Sequence, residues 1–112
     1  MFPNEVIRFD IKPINFNERW IREVFIDLDH INKGKKRKAE RSTLSAQDVL
    51  KFIFLLNEMS LEPDMMRGNY IYYCKILKDE FEKPYRMIFC QDHTLKWLGV
   101  ITLYRIPNNY EN

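Results

Sequence analysis

Residues 6–11 run Val-Ile-Arg-Phe-Asp-Ile, an alternation of apolar and polar positions that predicts a short first strand, stopped by Pro13. From Asn17 the spacing lengthens. Trp20, Ile21, Val24, Phe25, Leu28 and Ile31 fall in one stripe of a helical wheel, with Arg19, Arg22, Asp29 and His30 off it. Asn17 stands as an N-cap and Gly34 as the C-terminal glycine, so a first helix is expected over 17–34. A second helix opens at Ser45: Asp48 stands three residues on, as in a capping box, and Leu44 and Val49 hold the positions of a hydrophobic staple. It is expected to run through Val49, Leu50, Phe52, Ile53, Leu55 and Leu56 to about Met59, heavily buried. Pro63 and Gly68 bracket the passage to three strands rich in aromatic and β-branched residues, 70–77, 85–90 and 97–106, the last two joined by a hairpin loop at Gln91–Thr94.

The pattern therefore predicts one α+β domain in the order β-α-α-β-β-β. Two N-terminal helices would pack on one face of an antiparallel sheet of three to four strands, leaving the other face partly open.

Composition narrows the class. A length of 112 residues suits one domain, and 46% hydrophobic residues with only three glycines and five prolines suit a folded one. No run approaches the roughly 20 apolar residues that span a membrane. The first residues lack the basic and apolar regions of a signal peptide, so a cytoplasmic protein with free, buried thiols at Cys74 and Cys90 is expected. His30, Cys74, Cys90 and His93 lack the short spacings of a zinc site, and no metal or cofactor is expected.

Charge adds a localised feature. Net charge is +2, but Lys33–Arg41 holds six basic residues and one acidic one, a local +5 that leaves −3 for the rest. Such a loop is a candidate contact for RNA phosphates through Lys33, Lys35, Lys36, Arg37 and Lys38; a solvated loop without a partner has the same composition.

Several residues carry candidate chemistry. His30 precedes the basic run, and histidine moves protons near neutral pH; it equally suits a helix C-terminus. Arg41 and Ser42 precede a helix start, where backbone N–H groups favour an anion, though a solvated Arg and a second capping hydroxyl would look the same. Arg86 interrupts an apolar strand and either faces solvent or is held for function. Thr102 and Tyr104 share one face of the last strand, which simple alternation also gives to Leu98, Val100 and Ile106. Tyr70, Tyr72 and Tyr73 suit sheet packing better than base stacking, and His93 suits a turn. No P-loop, dinucleotide-binding or Ser-His-Asp signature is present.

Three pieces of this chain resemble the barnase/EndoU/colicin/RelE-like superfamily of small endoribonuclease toxins. They are a helix ending at His30 followed by basic residues, the lead-in Arg41-Ser42-Thr43-Leu44-Ser45-Ala46-Gln47-Asp48-Val49, and the pair Tyr85-Arg86-Met87-Ile88 and Val100-Ile101-Thr102-Leu103-Tyr104. The resemblance spans most of residues 24–106, although the spacing from His30 to Arg41 is longer than the pattern. It implies a cofactor-free toxin cleaving RNA, with or without the ribosome, by attack of the 2′-OH. A cognate antitoxin or immunity protein would neutralise it, and His30, Arg41, Arg86, Thr102 and Tyr104 would form the site. The rival reading is a non-catalytic protein that binds nucleic acid or inhibits a target such as a topoisomerase. An immunity protein fits less well with a sequence pI near 8.5. Geometry separates the first two: a nuclease needs these side chains on one concave surface.

Overall fold

The computed structural model describes residues 6–33 and 43–107. Its centre is one mixed six-stranded sheet in the order β1-β2-β6-β5-β4-β3. The strands are β1 (Val6–Phe16), β2 (Arg19–Asp27), β3 (Met65–Arg67), β4 (Tyr70–Lys78), β5 (Pro84–Asp92) and β6 (Trp97–Arg105); the helices are α1 (Leu28–Asn32) and α2 (Ala46–Phe54). All neighbours are antiparallel except β2 and β6, which run parallel with Glu23 beside Trp97 and Ile26 beside Val100.

This architecture corrects the expectation of two N-terminal helices on a three- to four-stranded sheet. The segment expected as the first helix is mostly the strand β2, and only the five residues of α1 are helical. Asn17 is a turn residue instead of an N-cap. Asn17 and Glu18, at φ 53° and 65°, form a two-residue loop between the paired Phe16 and Arg19, and such loops match the twist of a hairpin. The Asn17 side chain holds this turn against the 59–61 segment. Its Oδ1 accepts from Leu61 N at 2.7 Å, and its Nδ2 donates to Leu61 O and the Tyr73 hydroxyl, each at 3.2 Å. β1 also runs past Pro13, because β1 is an edge strand and its register shifts between Asp10 and Ile14, where proline is tolerated.

That irregularity explains the false helical signal. The buried residues of β2 are Ile21, Val24 and Ile26. The register shift breaks the two-residue period, so the first gap is three, as on a helix. Trp20, counted in the apolar stripe, is 60% exposed. The short β3 was not expected either; it turns into β4 through Gly68, whose φ of +60° suits a residue without Cβ.

α2 begins at the expected capping box: the Ser45 hydroxyl accepts from Asp48 N, and the Asp48 carboxylate accepts from Ser45 N. The helix stops at Phe54, short of Met59. It lays Val49, Phe52 and Ile53, with Leu56 beyond its end, onto one sheet face. There Ile14, Phe16, Ile21, Val24, Ile26, Tyr73, Met87, Phe89, Leu98 and Leu103 complete the core. Inside it, Tyr73 donates to Gln91 Oε1 at 3.1 Å, which links the β1–β2 turn to β5 through a chain of satisfied polar groups. Among the described residues, no helix is long and apolar enough to cross a membrane.

Candidate active site

The sheet face opposite α2 carries the candidate residues Arg86, Thr102 and Tyr104. On β4 and β5 the alternation is regular: Tyr73, Leu77, Met87 and Phe89 enter the core. Tyr72, Cys74, Ile76, Arg86 and Ile88 therefore lie on the other side. β6 departs from regularity. Ile88 pairs with Thr102, but Phe89 pairs with Val100, so Ile101 is an extra residue, a β-bulge. Before the bulge, Leu98 and Val100 are buried; after it, Leu103 is. The change of phase turns Thr102 and Tyr104 away from the core, whereas strict alternation would have put them beside Leu98 and Val100.

Thr102 and Tyr104 consequently meet Arg86. Arg86 stands opposite Tyr104 in the β5–β6 ladder. Its Nη1 donates to the Tyr104 hydroxyl at 3.1 Å, and its guanidinium carbon lies 5.9 Å from the tyrosine ring centre. Thr102 follows about 7 Å along the strand on the same face. All three are half-buried, so the packed sheet fixes them while solvent still reaches them. The arrangement offers N–H donors to an anion and a hydroxyl that keeps its own proton while accepting from arginine.

His30 lies further along the same face. It is exposed in α1 and borders a cavity of about 200 Å³ with Val6, Phe25, Asp27, Gly99, Val100 and Ile101, at the ends of the parallel pair β2 and β6. Its backbone N–H donates to Asp27 Oδ1 at 3.1 Å. The bulge residue Ile101 joins this cavity to Thr102 through one peptide bond.

Of the RNA-contacting candidates, Lys33 is exposed at the C-cap of α1. Arg41, Ser42, Lys35, Lys36, Arg37 and Lys38 lie outside the described residues. Where that basic segment departs and returns is defined: Asn32 Nδ2 donates to Leu44 O at 2.9 Å, and its Oδ1 accepts from Leu44 N at 2.8 Å. Both flanks are thus held together beside His30.

The thiols are free, as expected, but only Cys90 is buried; Cys74, on the outer side of β4, is exposed. Burial pushes the Cys90 thiol up to about 11. His93 is exposed between β5 and β6. Tyr73 belongs to the core, whereas Tyr70 packs against Trp97 at 6.3 Å on the outer face.

Phe25 and Asp27 escaped the reading of the sequence because 17–34 was expected to be helical, and Gly99 because its partner strand β2 was not foreseen. One signal was present: a lone glycine inside an apolar strand marks a bulge or a close approach. Here the Trp97 ring lies over Gly99, so a Cβ at that position would meet it at 3.2 Å. No family model, characterised protein or solved structure matches this chain.

Proposed function

We propose that the protein is a small endoribonuclease of the toxin kind, cleaving RNA by 2′-OH attack without a metal. The observation that carries this reading is the Arg86–Tyr104 pair with Thr102 beside it, re-aimed onto the open face by the β6 bulge. Cleavage requires the 2′-oxygen to bond to phosphorus and the bond from phosphorus to the 5′-oxygen to break. A proton leaves the 2′-OH and another reaches the departing 5′-oxygen. In this reading Arg86 stabilises the charge on the phosphorane. Tyr104 donates to the leaving oxygen and Thr102 orients the phosphate. His30 accepts the 2′-proton, and the basic Lys33–Arg41 segment, Arg41 included, draws in the RNA backbone. The product carries a cyclic or 3′-phosphate. A neutralising antitoxin would cover this face.

RNA cleavage in EDTA tests the proposal. Wild type should cut, Arg86→Ala should lose about 10²- to 10³-fold, and Tyr104→Phe about 10²-fold, with melting temperatures little changed. Wild-type protein that cuts neither free RNA nor RNA on ribosomes would sink the enzymatic reading in favour of the non-catalytic binder.

A further inference from the structure

We propose that the cavity beside His30 is a nucleobase subsite selective for bases bearing an exocyclic amino group. The proposal rests on the ribonuclease reading and extends it to the choice of substrate.

Size is the first argument. At about 200 Å³ the cavity falls below the range of sites for drug-sized ligands and suits one flat ring system. Shape is the second. Gly99 lies in its wall, with the Trp97 ring packed over the side that a Cβ would occupy. Phe25, on the neighbouring strand, supplies an aromatic wall and is braced by Trp97 at 5.4 Å, edge to face. A preset ring of this kind stacks a base at little entropic cost. Val6, Val100 and Ile101 complete an apolar lining.

Polarity decides which base. Among the described residues, the charged or polar side chains lining the cavity are His30 and Asp27. Among the described residues one of the Asp27 oxygens is engaged, by the His30 N–H. The other accepts no hydrogen bond from a described residue. An ionised carboxylate accepts hydrogen bonds and gives none, so it favours the amino groups of guanine, adenine and cytosine. Uracil flanks its one N–H with two carbonyl oxygens, which a carboxylate repels, and is disfavoured.

Position ties the cavity to the cleavage site. From Gly99 to Thr102 along β6 is about 10 Å, the scale of one nucleotide. A base in the cavity would thus leave its phosphate near Thr102, Tyr104 and Arg86, with His30 at the cavity's edge.

The test is a titration of the full chain with GMP, AMP, CMP and UMP, followed by backbone amide shifts in two-dimensional NMR. It is repeated on Asp27→Asn, which keeps an N-cap for α1. The expected result is saturable shifts at Phe25, Gly99, Val100 and Ile101, with UMP roughly tenfold weaker. In Asp27→Asn the order should collapse, because an amide offers a donor as well. Wild-type shifts absent from these amides, or equal affinity for UMP, overturn the subsite even if the protein cleaves RNA. Selective binding by a protein that cleaves nothing would uphold the subsite and overturn the nuclease.

Discussion

Glu18, like Glu58, Glu82 and Leu95, is at odds with its backbone. It holds a left-handed conformation, φ 65°, beside Asn17, which suits that region far better. Replacing Glu18 with glycine should relieve the strain and stabilise the fold by about 0.5–1 kcal/mol, a rise of roughly 3–5 °C in melting temperature. Asn17→Ala should do the opposite. It removes hydrogen bonds to Leu61 and Tyr73 and leaves backbone groups short of partners, at a cost of about 2 kcal/mol. Thermal unfolding of the two variants checks both signs. At this scale the sequence was partly legible. Asn17 was visible as a boundary, but N-cap and turn both favour asparagine, and only its pairing partners distinguish them.

Among the elements, α2 announced itself because its signal is local. Ser45, Asp48 and Leu44 act within one turn of each other, and the capping box formed as read. β2 did not, because the apolar spacing of Ile21 and Val24 records a register shift in the strand beside it. The same limit applied to Thr102 and Tyr104. Their residue types were legible as candidates; their orientation depends on a bulge defined by pairing with β5. Asn32 is a second such case. Buried at the end of α1, it closes the root of the basic segment through two bonds to Leu44. Asn32→Ala should strand both Leu44 backbone groups and cost about 2–3 kcal/mol, read as a lower urea midpoint. If the segment serves RNA, the variant should also bind RNA more weakly at temperatures where it remains folded.

For the molecule as a whole, stability should fail on the alkaline side. Burial raises the Cys90 thiol from 9.0 to about 11, and burial raises the Tyr73 phenol above its usual 10.0. Both groups keep their protons in the fold to a higher pH than in the unfolded chain. Their contribution is therefore complete below the unfolded values and is lost as pH rises through the folded ones. Unfolding free energy should fall between about pH 9 and 11, and Cys90→Ala should flatten the thiol part of that slope. Urea titrations across this range measure it. A native molecule should also alkylate at Cys74 well before Cys90, since a thiol at about 11 is about one-thousandth ionised at pH 8.

The single parallel seam between β2 and β6 also sets an order in time. The β1–β2 hairpin leaves the ribosome before the other described elements, yet the strand that seals its inner side is made after all of them. Until then β2 offers an unpaired row of amides and carbonyls to any passing chain. Because the Thr102–Tyr104 stretch belongs to that same closing strand, a nascent chain cut short before it would lack both the seal and the proposed site.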